Sequence, residues 1–418
     1  MASTHIQLAD SSRAATDKRH GWRNARHWSA AMLAGFGMLI QIGCGGSEEA
    51  ATDRSSDLSA PLAKVVLENQ SDSEARFGLV INGRSFFSTE DDVLNEVVGS
   101  GPRPSEPDLA VALWKFVRDN RYHFEPYSPH RWSHAPVVYF NSIGFGLCDD
   151  AASVYRALAT RAGLESRVWF LSGHVVAEAK VLGRWAVFDP DLEAYYLDRE
   201  GRIAGVEQLA QDPSLISSPV APFTDVSRLL WDFMLPIEPS IATSIAPAYS
   251  AYAVALYATD SDNHVEPWYD EVPVIAFDPE PFVLPPGARL VIDAQGHSTS
   301  VKSWNGLTAP RAASIRLELA AGWSGTIRLP LIISAAHGSG LVRLEDRIVA
   351  LGSLELEQHL ALRDRAVNSL EVVRAEAGDQ VTLLVNQSRF RLDELRDVRV
   401  LGARAGAVSV VRTLQDVP

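Results

Sequence analysis

Three side chains in the middle third of the chain, Cys148, His174 and Asp189, have the types needed for nucleophilic acyl transfer. A thiolate attacks a carbonyl carbon. An imidazole takes the thiol proton and returns it to the leaving amine, and a carboxylate holds the imidazole's tautomer and stabilises its cation. Cys148 is one of only two cysteines, which excludes a disulfide scaffold. An unpaired thiol in an exported protein is a flag for reactivity; the alternative is a small buried hydrophobe.

The elements that must position these groups are legible around them. Gly144 and Gly146 precede Cys148, and an Ala-rich helical pattern then runs to Gly163, a natural residue just past a helix end. Cys148 is thus expected in the first turn of a helix, where the macrodipole and free backbone N–H groups lower a thiol's pKa and can donate to an oxyanion. Asp149 and Asp150 are expected to cap that helix. The segment Ser166 to Val181 reads as a strand whose odd positions, Trp169, Leu171, Val175, Ala177, Ala179 and Val181, form an apolar face. His174 lies on the other face. A hairpin turn is expected near Leu182–Gly183. With an even-length loop, same-face residues have numbers of odd sum, so His174 and Asp189 are opposite or diagonal neighbours.

Taken together, Gly146-x-Cys148-x-Asp150-x-Ala152, then Leu158-Ala-x-x-Ala-Gly163-x-x-x-Arg167, Gly173-His174 and Trp185-x-x-x-Asp189-Pro190 resemble the core of the transglutaminase-like superfamily. The resemblance covers about residues 108–200. It implies a papain-like α+β fold, a helix packed on an antiparallel sheet, with Cys148 as nucleophile, His174 as base and Asp189 as orienter. Members include crosslinking enzymes, amide hydrolases, peptidases and domains that have lost activity. Family members often add an oxyanion donor upstream of the cysteine, for which Asn141 and Tyr139 are the candidates here.

Other residues carry weaker signals. His123, His130 and His134 have spacings that would suit zinc on a helix, but Pro129 and Pro136 argue against a helix there, and no metal or other cofactor is expected. Tyr122, Phe124, Tyr127 and Trp132 wall a cleft or pack on the core. No phosphate-binding glycine loop occurs.

Composition frames the rest. A chain of 418 residues, 46% hydrophobic and 22% charged, is that of a folded protein rather than a disordered or polytopic membrane one. Net charge of −14 makes nucleic acid an unexpected partner. Residues 1–43 read as an export signal, a basic stretch followed by the apolar run Ala30 to Ile42, too short to span a bilayer. The run ends Ile-Gly-Cys44, similar to a bacterial lipoprotein cleavage site, although Gln41 replaces the usual aliphatic residue. Lipidation at Cys44 would anchor the chain to a membrane.

Four segments are therefore expected: the signal 1–43, a flexible tether 44–64, a transglutaminase-like domain 65–240, and an all-β, sandwich-like domain 260–418. The first of these expectations places the protein in the cell envelope. The function expected is cysteine-dependent acyl transfer on a protein, peptide or peptidoglycan-type amide. The alternative is an inactive transglutaminase-like module whose β domain recognises protein or glycan.

Overall fold

The structure is a computed structural model that describes residues 61–217, 219–220, 256–257, 263–277, 282–294, 301–309, 312–362 and 366–415. The expected signal 1–43, the lipidation site Cys44 and the tether as far as residue 60 lie outside the described residues, as does most of the boundary region expected near 240–260. Among the described residues, no helix is long and apolar enough to cross a membrane. The fold is mixed α and β, and its named sheets are antiparallel apart from one short parallel pair.

The cysteine-bearing part centres on helix α3 (Cys148–Arg161), preceded by α1 (Glu90–Val98) and α2 (Glu106–Asp119). Leu147 cannot cap α3 with its side chain, so Asp150 reaches back and accepts from the Leu147 N–H at 3.0 Å, one half of a capping box. Gly163, at φ 88°, ends the helix in the left-handed region open to glycine. Ala151, Ala152, Val154, Tyr155, Leu158 and Ala159 are buried. Small alanines let α3 lie close on the sheet formed by β6 (Ser166–Leu171), β7 (His174–Val181) and β8 (Arg184–Phe188).

One expectation changes here. Ser166 to Val181 is two strands, not one: Ser172-Gly173 makes a two-residue turn with Gly173 at φ 86°, and Leu171 pairs with His174. A Gly at that turn supplies the positive φ a tight hairpin needs. The second hairpin turns at Leu182 (φ 50°) and Gly183 (φ 77°), with Val181 opposite Arg184, as the sequence pattern requires. His174 opens β7 and Asp189 follows the end of β8, so both emerge at one end of the sheet.

The C-terminal half is built on a six-stranded antiparallel sheet and two four-stranded ones that share one buried apolar cluster. The N-terminal strands belong to it. β1 (Leu62–Asn69) lies between β11 (Arg289–Asp293) and β20 (Val408–Leu414), and β2 (Ala75–Ile81) lies between β10 (Phe282–Leu284) and β19 (Val398–Leu401). The boundary expected at residue 65 therefore falls inside a strand that completes the C-terminal sheet. Residues 62–64, expected in the tether, start that strand. The physical reason is burial: Val65, Leu67, Phe77, Leu79 and Ile81 are apolar at alternate positions, and their partners for burial lie more than two hundred residues away. The Asn82-Gly83 turn is present, but its second strand is only Arg84–Ser85.

The cysteine-bearing part docks on these sheets through buried amides. Asn386 donates to the Asn120 carbonyl at 2.9 Å, and Arg389 holds Glu96 through two nitrogens at 2.7 and 2.6 Å while its guanidinium lies 4.0 Å over Phe87.

Gly146 is where space is tightest near the cap: a Cβ there would sit 2.5 Å from Asp150 Cβ. Gly146→Ala is expected to displace the cap and cost about 1–3 kcal/mol, read by chemical denaturation. A cost below a few tenths would mean that Asp150 is not fixed by the helix start.

Candidate active site

Cys148, His174 and Asp189 converge. His174 Nε2 lies 2.7 Å from Asp189 Oδ2, and the Cys148 sulfur lies within 4.8 Å of a His174 ring nitrogen. With Nε2 committed to Asp189, Nδ1 is the nitrogen left for the sulfur. Asp189 is held from the other side: its Oδ1 accepts the backbone N–H groups of Asp191 (3.0 Å) and Leu192 (2.8 Å), and its carbonyl accepts from Trp114 Nε1 at 2.9 Å. His174 and Asp189 are buried, while Cys148 keeps partial exposure. The nucleophile is thus open to approach and its partners are sealed, the arrangement acyl transfer needs.

A fourth residue, Asp191, was not anticipated. A carboxylate oxygen of Asp191, the Cys148 sulfur and a His174 ring nitrogen all lie within 4.8 Å of one another. Asp191 Oδ1 is 2.8 Å from Arg121 and 2.8 Å from His123 Nδ1. The parallel pair β4 (Tyr122–His123) and β5 (Phe145–Gly146) brings these two side chains to Asp191, and Arg121 also donates to the Gly146 carbonyl at 2.6 Å. Burial pushes the Asp191 carboxyl up, but His123 and Arg121 outweigh it and hold it far below the usual carboxylate range. The same odd-sum rule that pairs His174 with Asp189 also admits Asp191; that signal was in the sequence.

The thiol does not behave as its helix position suggests. Burial pushes Cys148 up, His174 pulls it back, and Asp191 and Asp149 push it further, so its pKa lies above the ordinary value. Burial also works against charging His174, but Asp189 and the sulfur outweigh it and raise the imidazole well above its ordinary value. Burial thus favours the neutral thiol and Asp189 favours the imidazolium, so the sulfur must lose its proton before it can attack.

The remaining candidates are placed elsewhere. Asn141 is fully buried and donates both amide protons to backbone, to Phe87 at 2.9 Å and Pro330 at 3.1 Å, while its oxygen accepts from Phe87 N–H. It has no donor left for an oxyanion. Tyr139 is also fully buried, its hydroxyl accepting from Arg121 at 3.2 Å. These two residues pin the chain to the C-terminal sheets and to Arg121, which explains their polarity without catalysis. The backbone N–H of Cys148, at the first helical position, is one of the first-turn donors with no intrahelical acceptor.

Tyr122, Phe124 and Trp132 are buried in the core around Phe145, so packing accounts for them, and Tyr127 packs beside them. His134 pairs with Asp150 at 3.1 Å, apart from His123, so the three upstream histidines form no common cluster. Asp149 is buried; burial first and Asp150 second raise its carboxyl to about 7. A groove of about 750 Å³, lined by Arg84, Lys115 and Arg389 among others, does not include Cys148.

Iodoacetamide alkylation of Cys148 is expected to accelerate as pH rises from 6 to 9, because the raised thiol must lose its proton. A flat profile over that range would show a preformed thiolate instead. A second consequence concerns stability. A carboxyl raised in the folded state binds its proton more tightly there, so Asp149 stabilises least when ionised: its penalty sets in above about pH 4 and is complete above about pH 7. Asp149→Asn should match wild type near pH 4 and exceed it by on the order of 2–4 kcal/mol at pH 8. An equal difference at both pH values would refute this.

Comparison of the chain with protein-family models, with curated proteins and with solved structures finds no match.

Proposed function

We propose that the protein is a cysteine-dependent acyltransferase or hydrolase acting on amide bonds, built on a papain- or transglutaminase-like core. The observation that carries this reading is the continuous chain of contacts from the partly exposed Cys148 sulfur through His174 to the Asp189 carboxylate, with its 2.7 Å last link. The helix that begins at the nucleophile and packs on the sheet bearing the base supports the finer fold reading.

In this mechanism one proton leaves the Cys148–His174 pair, and the sulfur attacks the amide carbonyl. The Cys148 N–H faces the developing oxyanion. His174 then protonates the leaving amine, and a thioester remains on Cys148. Water or a second amine, deprotonated by His174, attacks the thioester and restores the thiol. Asp189 stabilises the imidazolium throughout. The export-type N-terminal sequence supports a cell-envelope site of action, with Cys44 as lipid anchor and a protein, peptide or peptidoglycan-type amide as substrate.

A second reading has its own support. The thiol's raised pKa and a groove of about 750 Å³ placed away from Cys148 favour a catalytically silent module that binds protein or glycan through its β sheets.

An amide-substrate panel measured on wild type, Cys148→Ala and Asp189→Asn separates the two. Acyl transfer requires Cys148→Ala to lose all turnover and Asp189→Asn to lose roughly 10²–10⁴-fold in kcat, with the rate of wild type rising from pH 6 to 8. Equal residual rates in all three proteins would leave only the binding module.

A further inference from the structure

We propose that Cys148, His174 and Asp191 form a three-donor site for a divalent cation of the zinc class, bound reversibly and in competition with an acyl substrate. The competition rests on the acyl-transfer reading; the site itself rests on the donors. A thiolate, an imidazole and a carboxylate are the three side-chain types that zinc selects, and three protein donors leave one coordination position for water. Zinc bonds of about 2.0–2.3 Å in a tetrahedron hold their donors roughly 3.3–3.7 Å apart. The three donors here already lie within 4.8 Å of one another, so a small side-chain adjustment closes the shell.

The surroundings of the donors are also those of a metal site. A ligating histidine ordinarily gives its second nitrogen to a carboxylate, which fixes the ring and raises its basicity. His174 does this: Nε2 is 2.7 Å from Asp189, leaving Nδ1 toward Cys148. Asp191 is oriented in the same way, its Oδ1 held at 2.8 Å by both Arg121 and His123, which leaves Oδ2 for an ion. Partial exposure of Cys148 gives an entry path. On binding, the Cys148 thiol and, where it is charged, the His174 imidazolium each release a proton to solvent, and sulfur and ring nitrogen each donate an electron pair to the cation; no oxidant or reductant is involved. The same sulfur pair is needed to attack a carbonyl, so metal and acyl group exclude each other.

This assigns Asp191 a role that the triad alone does not require. The second donor group within the same distance limit, His134, Asp149 and Asp150, supplies no thiolate, and Asp150 is already committed to the helix cap and to His134.

The test is a titration of the reduced, metal-stripped full chain with ZnCl₂ against a chromogenic chelator, together with the rate of iodoacetamide labelling of Cys148. Expected are one equivalent of zinc per chain, at least tenfold slower labelling when zinc is bound, and affinity weakened about 10–100-fold or more in both Cys148→Ala and Asp191→Asn. Should Asp191→Asn fail to fold, Cys148→Ala, a change at a partly exposed helix start, decides alone. Zinc bound with undiminished affinity by Cys148→Ala would place the ion elsewhere and overturn the proposal, as would labelling that zinc leaves unchanged. Amide turnover in the metal-free sample is read separately. Turnover without zinc binding ends the metal site and leaves acyl transfer standing; zinc binding without turnover does the reverse.

Discussion

The Asp189 carboxylate divides its two oxygens between backbone and imidazole, and the geometry around Cys148 follows from that division. Oδ1 accepts two successive N–H groups from the turn that follows it, and Oδ2 holds His174. A fully buried carboxylate without such partners would cost several kcal/mol, so the turn and the histidine are each other's condition. The turn closes tightly: Asp189 and Ala194 exchange backbone hydrogen bonds at 3.0 and 2.9 Å. That closure carries Asp191 back over the sulfur and the imidazole. Arg121 then balances the second negative charge, and His123 lies on the same carboxylate oxygen. Two carboxylates, two histidines and a guanidinium thus share one buried volume.

Magnitudes explain why the helix start does not produce a reactive thiolate unaided. A macrodipole contributes about 0.3–1 kcal/mol to a charge at a helix terminus, less than one pKa unit. Desolvation is the largest influence on the Cys148 thiol and opposes its charge, and Asp191 and Asp149 add repulsion in the same direction. Burial therefore wins in the unliganded protein. His174 is the compensating group, and its own elevated pKa is the reciprocal of the same interaction.

Local chemistry was readable from residue order, and long-range pairing was not. The glycines before Cys148, the alanines after it, and the Leu182-Gly183 turn each act within a few residues, so α3 and the β7–β8 hairpin follow from spacing alone. The Ser172-Gly173 turn also carried its signal, but the apolar alternation runs across it without losing phase and concealed the break. Asn141 looked like a site residue because it is polar and near the cysteine. What it does is satisfy backbone groups 54 and 189 positions away, which no local pattern encodes. The placement of β1 and β2 in the C-terminal sheets is the same kind of fact: their alternation announces strands without naming partners.

The position of β1 between β11 and β20 has a consequence for biogenesis. The first described strand acquires its outer neighbour only from Val408–Leu414, more than three hundred residues further along the chain. Until that segment has been made its edge stays unzipped, and the nascent polypeptide holds an unpaired ribbon while the whole Cys148-bearing part is synthesised after it. Closure of the six-stranded sheet is thus a long-range clasp, and a premature stop codon ahead of Val408 would leave that clasp open however well the centre had formed.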